Sequence, residues 1–218
     1  MLRKIFIFIC VIFILSAMLF SCGEKSDDKA DDVNDTKETT METEEIITTA
    51  APVTEPPGPK KSNKWITFAE TDVPGDQNAV KVGDGGGFKA IGAKFTAEFI
   101  ITDISISCPS WSDDIGSMIF KIFKWDTDYA TTVAGEPVFI DTETFVDYPD
   151  NSMMEVSFEP EIEPGTYLWE LSEGKDGVGV WAFKTHGEEG LEFYRNGELF
   201  PDGTAFNAEI NGYIMVDP

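Results

Sequence analysis

The chain has 218 residues and a formal net charge of −24 at pH 7, because 40 acidic residues outnumber 16 lysines and arginines. Such a surface repels phosphate backbones, so nucleic acid is not expected as a partner, and anionic lipid headgroups and acidic glycans are disfavoured. Neutral polymers, basic partners and divalent cations remain as ligand classes.

The first 20 residues have the features of an export signal. Arg3 and Lys4 precede an apolar run from Ile5 to Phe20 that is interrupted only by Ser16. A basic start, an apolar stretch and a small residue before a cut site are typical of a secretory signal peptide. The run is shorter than the ~20 residues that span a bilayer comfortably, and an uncleaved anchor is the alternative.

The end of this run, Leu19-Phe20-Ser21-Cys22, resembles the lipobox of bacterial lipoproteins. Leu19, Ser21 and Cys22 match the pattern, and Phe20 is bulkier than the usual residue. The resemblance implies that residues 1–21 are removed and that Cys22 carries a diacylglycerol thioether and fatty acyl chains such as palmitate. Each buried CH₂ contributes about 0.8 kcal/mol, so two or three chains anchor a protein firmly. We therefore expect an extracytoplasmic protein, lipid-anchored to a bacterial membrane at the cell surface or facing the periplasm.

Residues 22–63 are predicted to form a disordered tether that begins at the lipidated cysteine. The segment from Gly23 to Asn63 has no aromatic residue and is rich in Asp, Glu and Thr and then in Pro. Its apolar content is too low to offset the conformational entropy of folding. The tether would hold the folded region away from the membrane.

The composition changes at Lys64, where the predicted domain of residues 64–218 begins. This region holds all five Trp, all five Tyr and 13 of the 17 Phe, which is ample for a hydrophobic core. Its 29 acidic and nine basic residues give a net charge of −20. Cys108 continues an alternating apolar set, so a buried side chain is expected there and not a reactive thiol.

Alternation of apolar and polar residues dominates the domain and predicts strands. In five segments every second residue is apolar and lies on the same face of the predicted strand. These segments are residues 152–160, 164–172, 178–184, 191–200 and 208–216. Asn196-Gly197 is a strong hairpin signal. Nine or ten short strands indicate an all-β, antiparallel β-sandwich, with an up-and-down or clam barrel as the alternative.

The segment PGTYLWEL, residues 164–171, is similar to a Pro-Gly-Thr-Tyr strand start found in jelly-roll sandwiches of extracellular bacterial carbohydrate-active proteins. The resemblance implies a jelly-roll-like fold and a role in carbohydrate binding. It covers one strand.

Catalytic signatures are absent from the sequence. It contains no Gly-x-Ser-x-Gly, His-Glu-x-x-His or Cys-x-x-Cys motif, and His186 is its only histidine. An enzyme is therefore not expected. A small surface glycosidase or lyase is the third alternative, because glycoside hydrolysis needs only two carboxylates; Glu188 and Glu189 near His186 are the candidates.

A glycan site is the function that the sequence favours. Sugars present flat apolar faces edged with hydroxyls, so their sites need exposed Trp or Tyr rings beside polar side chains. Trp65 and Trp169 are interpreted as core residues, and Trp181 is left undecided. Three segments combine aromatic and polar residues, and their candidate ligand-binding residues are Trp111, Asp113 and Asp114; Trp125, Asp126 and Tyr129; and Tyr194, Arg195 and Asn196.

Calcium is the one cofactor to consider, because it takes six to eight oxygen ligands and acidic loops supply them. Asp126 and Asp128 are the candidate metal ligands, and a solvated acidic surface is the alternative.

Taken together, these features predict a membrane-anchored lipoprotein whose sandwich binds a neutral polysaccharide without cleaving it. A protein-interaction or envelope-assembly module is the second hypothesis.

Overall fold

A computed structural model describes residues 58–72, 75–85, 87–111, 114–200 and 203–217. The predicted signal peptide, Cys22 and nearly all of the predicted tether lie outside the described residues, as does Asp113. The described residues belong to one compact unit with its own core, which is expected to fold alone. Within the described ranges, no helix is both long and apolar enough to cross a membrane.

The described residues form thirteen strands and one short helix. In chain order the elements are β1 (Lys60–Thr67), β2 (Asn78–Val82), β3 (Ala90–Ala97), β4 (Ile100–Cys108), β5 (Ser117–Lys124), α1 (Tyr129–Ala134), β6 (Phe139–Asp141), β7 (Ser152–Ile162), β8 (Gly165–Lys175), β9 (Val178–Phe183), β10 (Glu192–Arg195), β11 (Glu198–Leu199), β12 (Ala205–Phe206) and β13 (Ala208–Val216).

The strands assemble into three antiparallel sheets that pack around one main core. The four-stranded sheet has the order β1-β13-β4-β7, the six-stranded sheet β11-β10-β3-β8-β5-β6, and the three-stranded sheet β12-β9-β2. Neighbours such as β1 and β13, or β3 and β8, are far apart in the sequence. The predicted all-β antiparallel sandwich is confirmed.

Alternation along the strands determines which side chains enter the core. In β8, Tyr167, Trp169 and Leu171 are buried in the main core, as their spacing predicts. Trp169 lies at its centre, in edge-to-face contact with Phe68 at 6.0 Å and Phe206 at 5.5 Å between ring centroids. Such aromatic pairs contribute about 0.5–1.5 kcal/mol beyond the burial of their surface.

The interpretation of Trp65 as a core residue is wrong. Its side chain is 61% exposed, because Ile66 takes the inward position on β1 and pairs with the buried Ile210. β1 is also an edge strand, so only one neighbour, β13, covers it within the sheet. Strand β1 begins at Lys60, before the composition change at Lys64.

Two local predictions, the hairpin at Asn196-Gly197 and the buried Cys108, are confirmed. Asn196 and Gly197 have φ values of 49° and 84° and form the turn between β10 and β11, where positive φ favours Asn and Gly. Cys108 is fully buried, and burial raises the pKa of its thiol. The glycine-rich segment between β2 and β3 forms a turn in its described part, in which Gly83 has a φ of 80°.

Candidate functional site

The outer face of the six-stranded sheet, which points away from the main core, carries a second apolar cluster. Its buried members are Phe123, Leu168 and Tyr194, contributed by β5, β8 and β10. They occupy the alternate positions to the main-core residues of the same strands, so the middle of this sheet is covered on both faces. Helix α1 follows β5, and its residues Tyr129 and Val133 pack against this cluster. The helix therefore converts an outer sheet face into a partly enclosed site.

Three aromatic side chains form a row on this face. The ring of Tyr194 lies 5.9 Å from that of Trp125 and 5.1 Å from that of Tyr129. The ammonium of Lys94 lies 4.6 Å from the centre of the Trp125 ring, close enough for a cation–π contact. The sequence assigned Trp125, Tyr129 and Tyr194 to two separate segments, and the fold brings them together.

A glycine lies between Tyr194 and Glu170 in the sheet. Gly92 of β3 pairs in register with Tyr194 on one side and with Glu170 on the other. A Cβ at position 92 would lie 2.2 Å from the carbonyl oxygen of Trp169, so the strands exclude any side chain here. Tyr129 lies against this strip of the sheet, and its hydroxyl donates a hydrogen bond to the carboxylate of Glu170.

The site also contains charged groups that are paired inside it. Lys94 donates to Glu192 at 2.7 Å, and the hydroxyl of Tyr194 donates to the same carboxylate at 2.5 Å. Burial alone would raise the pKa of Glu192, but these hydrogen bonds and the Lys94 charge outweigh it and lower the pKa. Burial, together with hydrogen bonds to Glu170 and Glu192, raises the pKa of Tyr129 and of Tyr194. Both tyrosines are therefore neutral donors at neutral pH.

A cavity of about 480 Å³ opens beside this aromatic row. Asn196 borders it and uses its Oδ1 to accept from the backbone N–H of Lys89 at 2.7 Å and of Ala90 at 3.4 Å. Its amide nitrogen is thus the atom that it can offer to a ligand. We call this the outer-face cavity, and its lining residues are Lys89, Ala90, Lys121, Phe123, Tyr129, Val133, Glu170 and Asn196.

Trp111 lies elsewhere, on the three-stranded sheet. Its side chain is 45% exposed, as a ligand platform requires, and its ring covers Gly179 of β9. The ammonium of Lys81 lies 5.8 Å from the ring centre. The carboxylate of Asp114 has a structural role, because its Oδ1 accepts from the backbone N–H of Asp150 at 3.0 Å.

Arg195 is the neighbour of Tyr194 in β10 and points to the other side of the sheet. Its guanidinium lies over Phe88 and Phe200, at 5.5 Å and 5.0 Å from the ring centres. Arg195 is therefore not part of the outer-face cavity, although the sequence grouped it with Tyr194 and Asn196.

The two candidate calcium ligands lie at the start of α1. Asp126 and Asp128 are exposed, and the Oδ1 of Asp128 caps the helix by accepting from the backbone N–H of Thr131 at 2.8 Å. This hydrogen bond lowers the pKa of Asp128. Across the described residues, no three His, Cys, Asp or Glu side chains gather closely enough to bind a metal ion. A calcium site here stays a prediction.

The residues considered for an enzyme have structural contacts. His186 is exposed, and its ring lies 4.8 Å from that of Phe193. Glu188 accepts from the backbone N–H of Thr67 at 3.2 Å, next to the edge strand β1.

Trp181, which the sequence left undecided, is half-buried and donates its indole N–H to Asn151 at 2.8 Å.

Four polar residues of the outer face were not identified from the sequence: Lys94, Lys121, Glu170 and Glu192. Glu170 offered a usable signal. It lies between apolar residues in β8, and a carboxylate that is only 7% exposed has to be paired. Lys94 and Glu192 are recognisable only once β3 and β10 are known to be neighbours.

No known family model matches the chain, and a search of curated proteins finds no significant match.

Proposed function

We propose that this protein is an extracytoplasmic lipoprotein whose β-sandwich binds a neutral glycan without cleaving it. One observation carries the proposal: the outer-face cavity combines aromatic rings with hydrogen-bonding groups in a space of about 480 Å³. Ligand cavities generally measure about 300–1,000 Å³, so a sugar unit or two fit. Membrane attachment through Cys22 and a jelly-roll type of sandwich belong to the same proposal and rest on the sequence.

The chemistry of the cavity suits sugar hydroxyls. Tyr129 supplies an aromatic surface, Glu170 an acceptor, and Lys89, Lys121 and Asn196 supply donors. Lys121 is held near Glu173 at 3.4 Å, an exposed ion pair that a ligand can replace at little cost. Trp125 extends the aromatic surface beyond the cavity, through its contact with Tyr194.

The test is binding to an array of neutral glycans and polysaccharides by the chain from Gly23 onward, with calcium and then with EDTA. Trp125→Ala and Lys121→Gln are expected to weaken binding at least about tenfold. Trp65→Ala is the matched control, because it removes an exposed tryptophan from the other sheet. If only Trp111→Ala abolishes binding, the glycan site lies on the three-stranded sheet. If binding is lost only when EDTA is added, the result supports a calcium ion that is required for binding.

Two results would count against the proposal. An absence of binding to every neutral glycan under both conditions would contradict it. New reducing ends released from a bound polysaccharide would instead indicate the glycosidase alternative.

A protein-interaction module is the second candidate function, and one observation favours it. The side chains of Val138, Ile140 and Val146 are exposed near β6, the three-residue strand at the edge of the six-stranded sheet. Exposed apolar groups beside a sheet edge are common in protein interfaces. Ile140→Lys would abolish partner capture from a membrane extract and leave glycan binding unchanged.

A further inference from the structure

A second cavity of about 430 Å³ lies against β2, β9 and the β10–β11 hairpin. It is separate from the outer-face cavity. Arg195 lines it, whereas Tyr194, the preceding residue of the same strand, points to the outer face. We call it the arginine cavity. Its lining includes Asp76, Asn78, Phe88, Lys184, Arg195, Phe200 and Thr204.

Arg195 is the only arginine of the described region, and two aromatic rings hold it in place. Phe88 and Phe200 contact each other edge-to-face at 5.8 Å, and both pack against the main core. These cation–π contacts restrict the side chain before any ligand arrives, and they use none of its N–H donors.

The charge of Arg195 is not neutralised by a described neighbour. Among the described residues no carboxylate forms an ion pair with it. Asp76, the acid that lines the cavity, is occupied by Lys184: its Oδ1 lies 3.2 Å from the ammonium, and its Oδ2 accepts from the Lys184 backbone N–H at 3.0 Å. Glu198, its cross-strand neighbour in the hairpin, lies beyond ion-pair distance, so the guanidinium can pair with an added carboxylate.

We propose that the arginine cavity binds a carboxylate-bearing sugar, of the uronic acid class. The guanidinium edge of Arg195 pairs with the carboxylate in the two-bond arrangement that arginine favours. Asn78 and Thr204 border the cavity and offer hydrogen bonds to the hydroxyls. The acidic surface opposes long polyanions, so the ligand is a single or chain-terminal uronate and not the interior of a polyuronate.

The experiment titrates glucuronate, glucose and acetate into the chain from Gly23 onward by calorimetry at low salt. Glucuronate is expected to bind, and the other two to bind at least about tenfold more weakly. Arg195→Gln and Arg195→Lys should each weaken glucuronate binding about tenfold or more, because a lysine keeps the charge but loses the planar fork. Urea unfolding establishes whether each variant is folded.

A substitution at the rim keeps the test valid if the arginine variants do not fold. Asn78 is exposed, so Asn78→Asp adds a negative charge at the cavity without changing size and should weaken glucuronate binding. Asn63→Asp makes the same change on β1, outside the cavity, and should have no effect.

Three results would overturn the inference: no glucuronate binding, full binding by folded Arg195→Gln, or equal binding of acetate and glucuronate. This site does not depend on the proposed neutral-glycan function. Trp125→Ala should leave glucuronate binding intact, so the two proposals fail separately.

Discussion

The hydrogen bond from Tyr129 to Glu170 should stabilise the site more than an ordinary tyrosine hydrogen bond does. Glu170 is only 7% exposed, and its carboxylate accepts from the Tyr129 hydroxyl. A hydrogen bond to a charged group contributes about 1.5–3 kcal/mol, against about 0.5–1.5 kcal/mol for one between neutral groups. Tyr129→Phe should therefore lower the free energy of unfolding by about 2 kcal/mol, or about 4–8 °C in Tm for a domain of this size.

Tyr167→Phe is the matched control for this prediction. Tyr167 is buried, and its hydroxyl donates to the backbone carbonyl of Glu163 at 2.7 Å, which is a neutral acceptor. Urea unfolding of both variants, followed by tryptophan fluorescence, measures the two losses. In a Glu170→Gln background the cost of Tyr129→Phe should fall to about 1 kcal/mol. Equal losses in Tyr129→Phe and Tyr167→Phe would refute the argument that a buried carboxylate strengthens the bond.

Three further predictions concern stability and reactivity. Trp65→Ala should change the free energy of unfolding by less than about 0.5 kcal/mol, whereas Trp169→Ala should cost about 3–5 kcal/mol in urea titrations. The pKa of Glu192 is lowered in the folded state, so its stabilising effect relative to Glu192→Gln should be complete above the ordinary value of 4.5 and disappear as the pH falls through the lowered value. Cys108 should not react with a thiol reagent at pH 8 until urea unfolds the domain, because burial raises its pKa.

The fold class was predictable because period-two alternation is a local property of the chain. Each strand needs only its own residues to place Trp169 inward, and the same reasoning failed at Trp65. The difference between these tryptophans lies in the face that each one occupies: Trp169 is on the inward face of β8, whereas Ile66 takes the inward position on β1. Which face of β1 is inward depends on its pairing with the distant β13, where Ile66 lies opposite the buried Ile210, and no local pattern encodes that pairing.

The candidate site was predictable only in part, for the same reason. Trp125 and Tyr129 follow one strand, and Tyr194 lies in another. Their aromatic side chains indicated ligand-binding surfaces, but the sequence did not indicate that the three residues belong to one surface. They share one face of the sheet because β3 pairs with both β8 and β10, and β8 pairs with β5. Short helix α1 was not predicted either, because six residues are too few to display a helical period.

Strand β10 connects the two proposed binding sites, because its successive residues face opposite ways. Tyr194 belongs to the aromatic row of the outer face, and Arg195 lies over the rings of the arginine cavity. Their assignment depends on the strand register, since a shift by one residue would exchange the two faces. The turn at Gly197 sets that register: its φ is 84°, and an added Cβ would lie 3.1 Å from the Tyr129 ring. Gly197→Ala should therefore weaken both neutral-glycan and glucuronate binding, whereas Trp125→Ala and Arg195→Gln should each weaken only one.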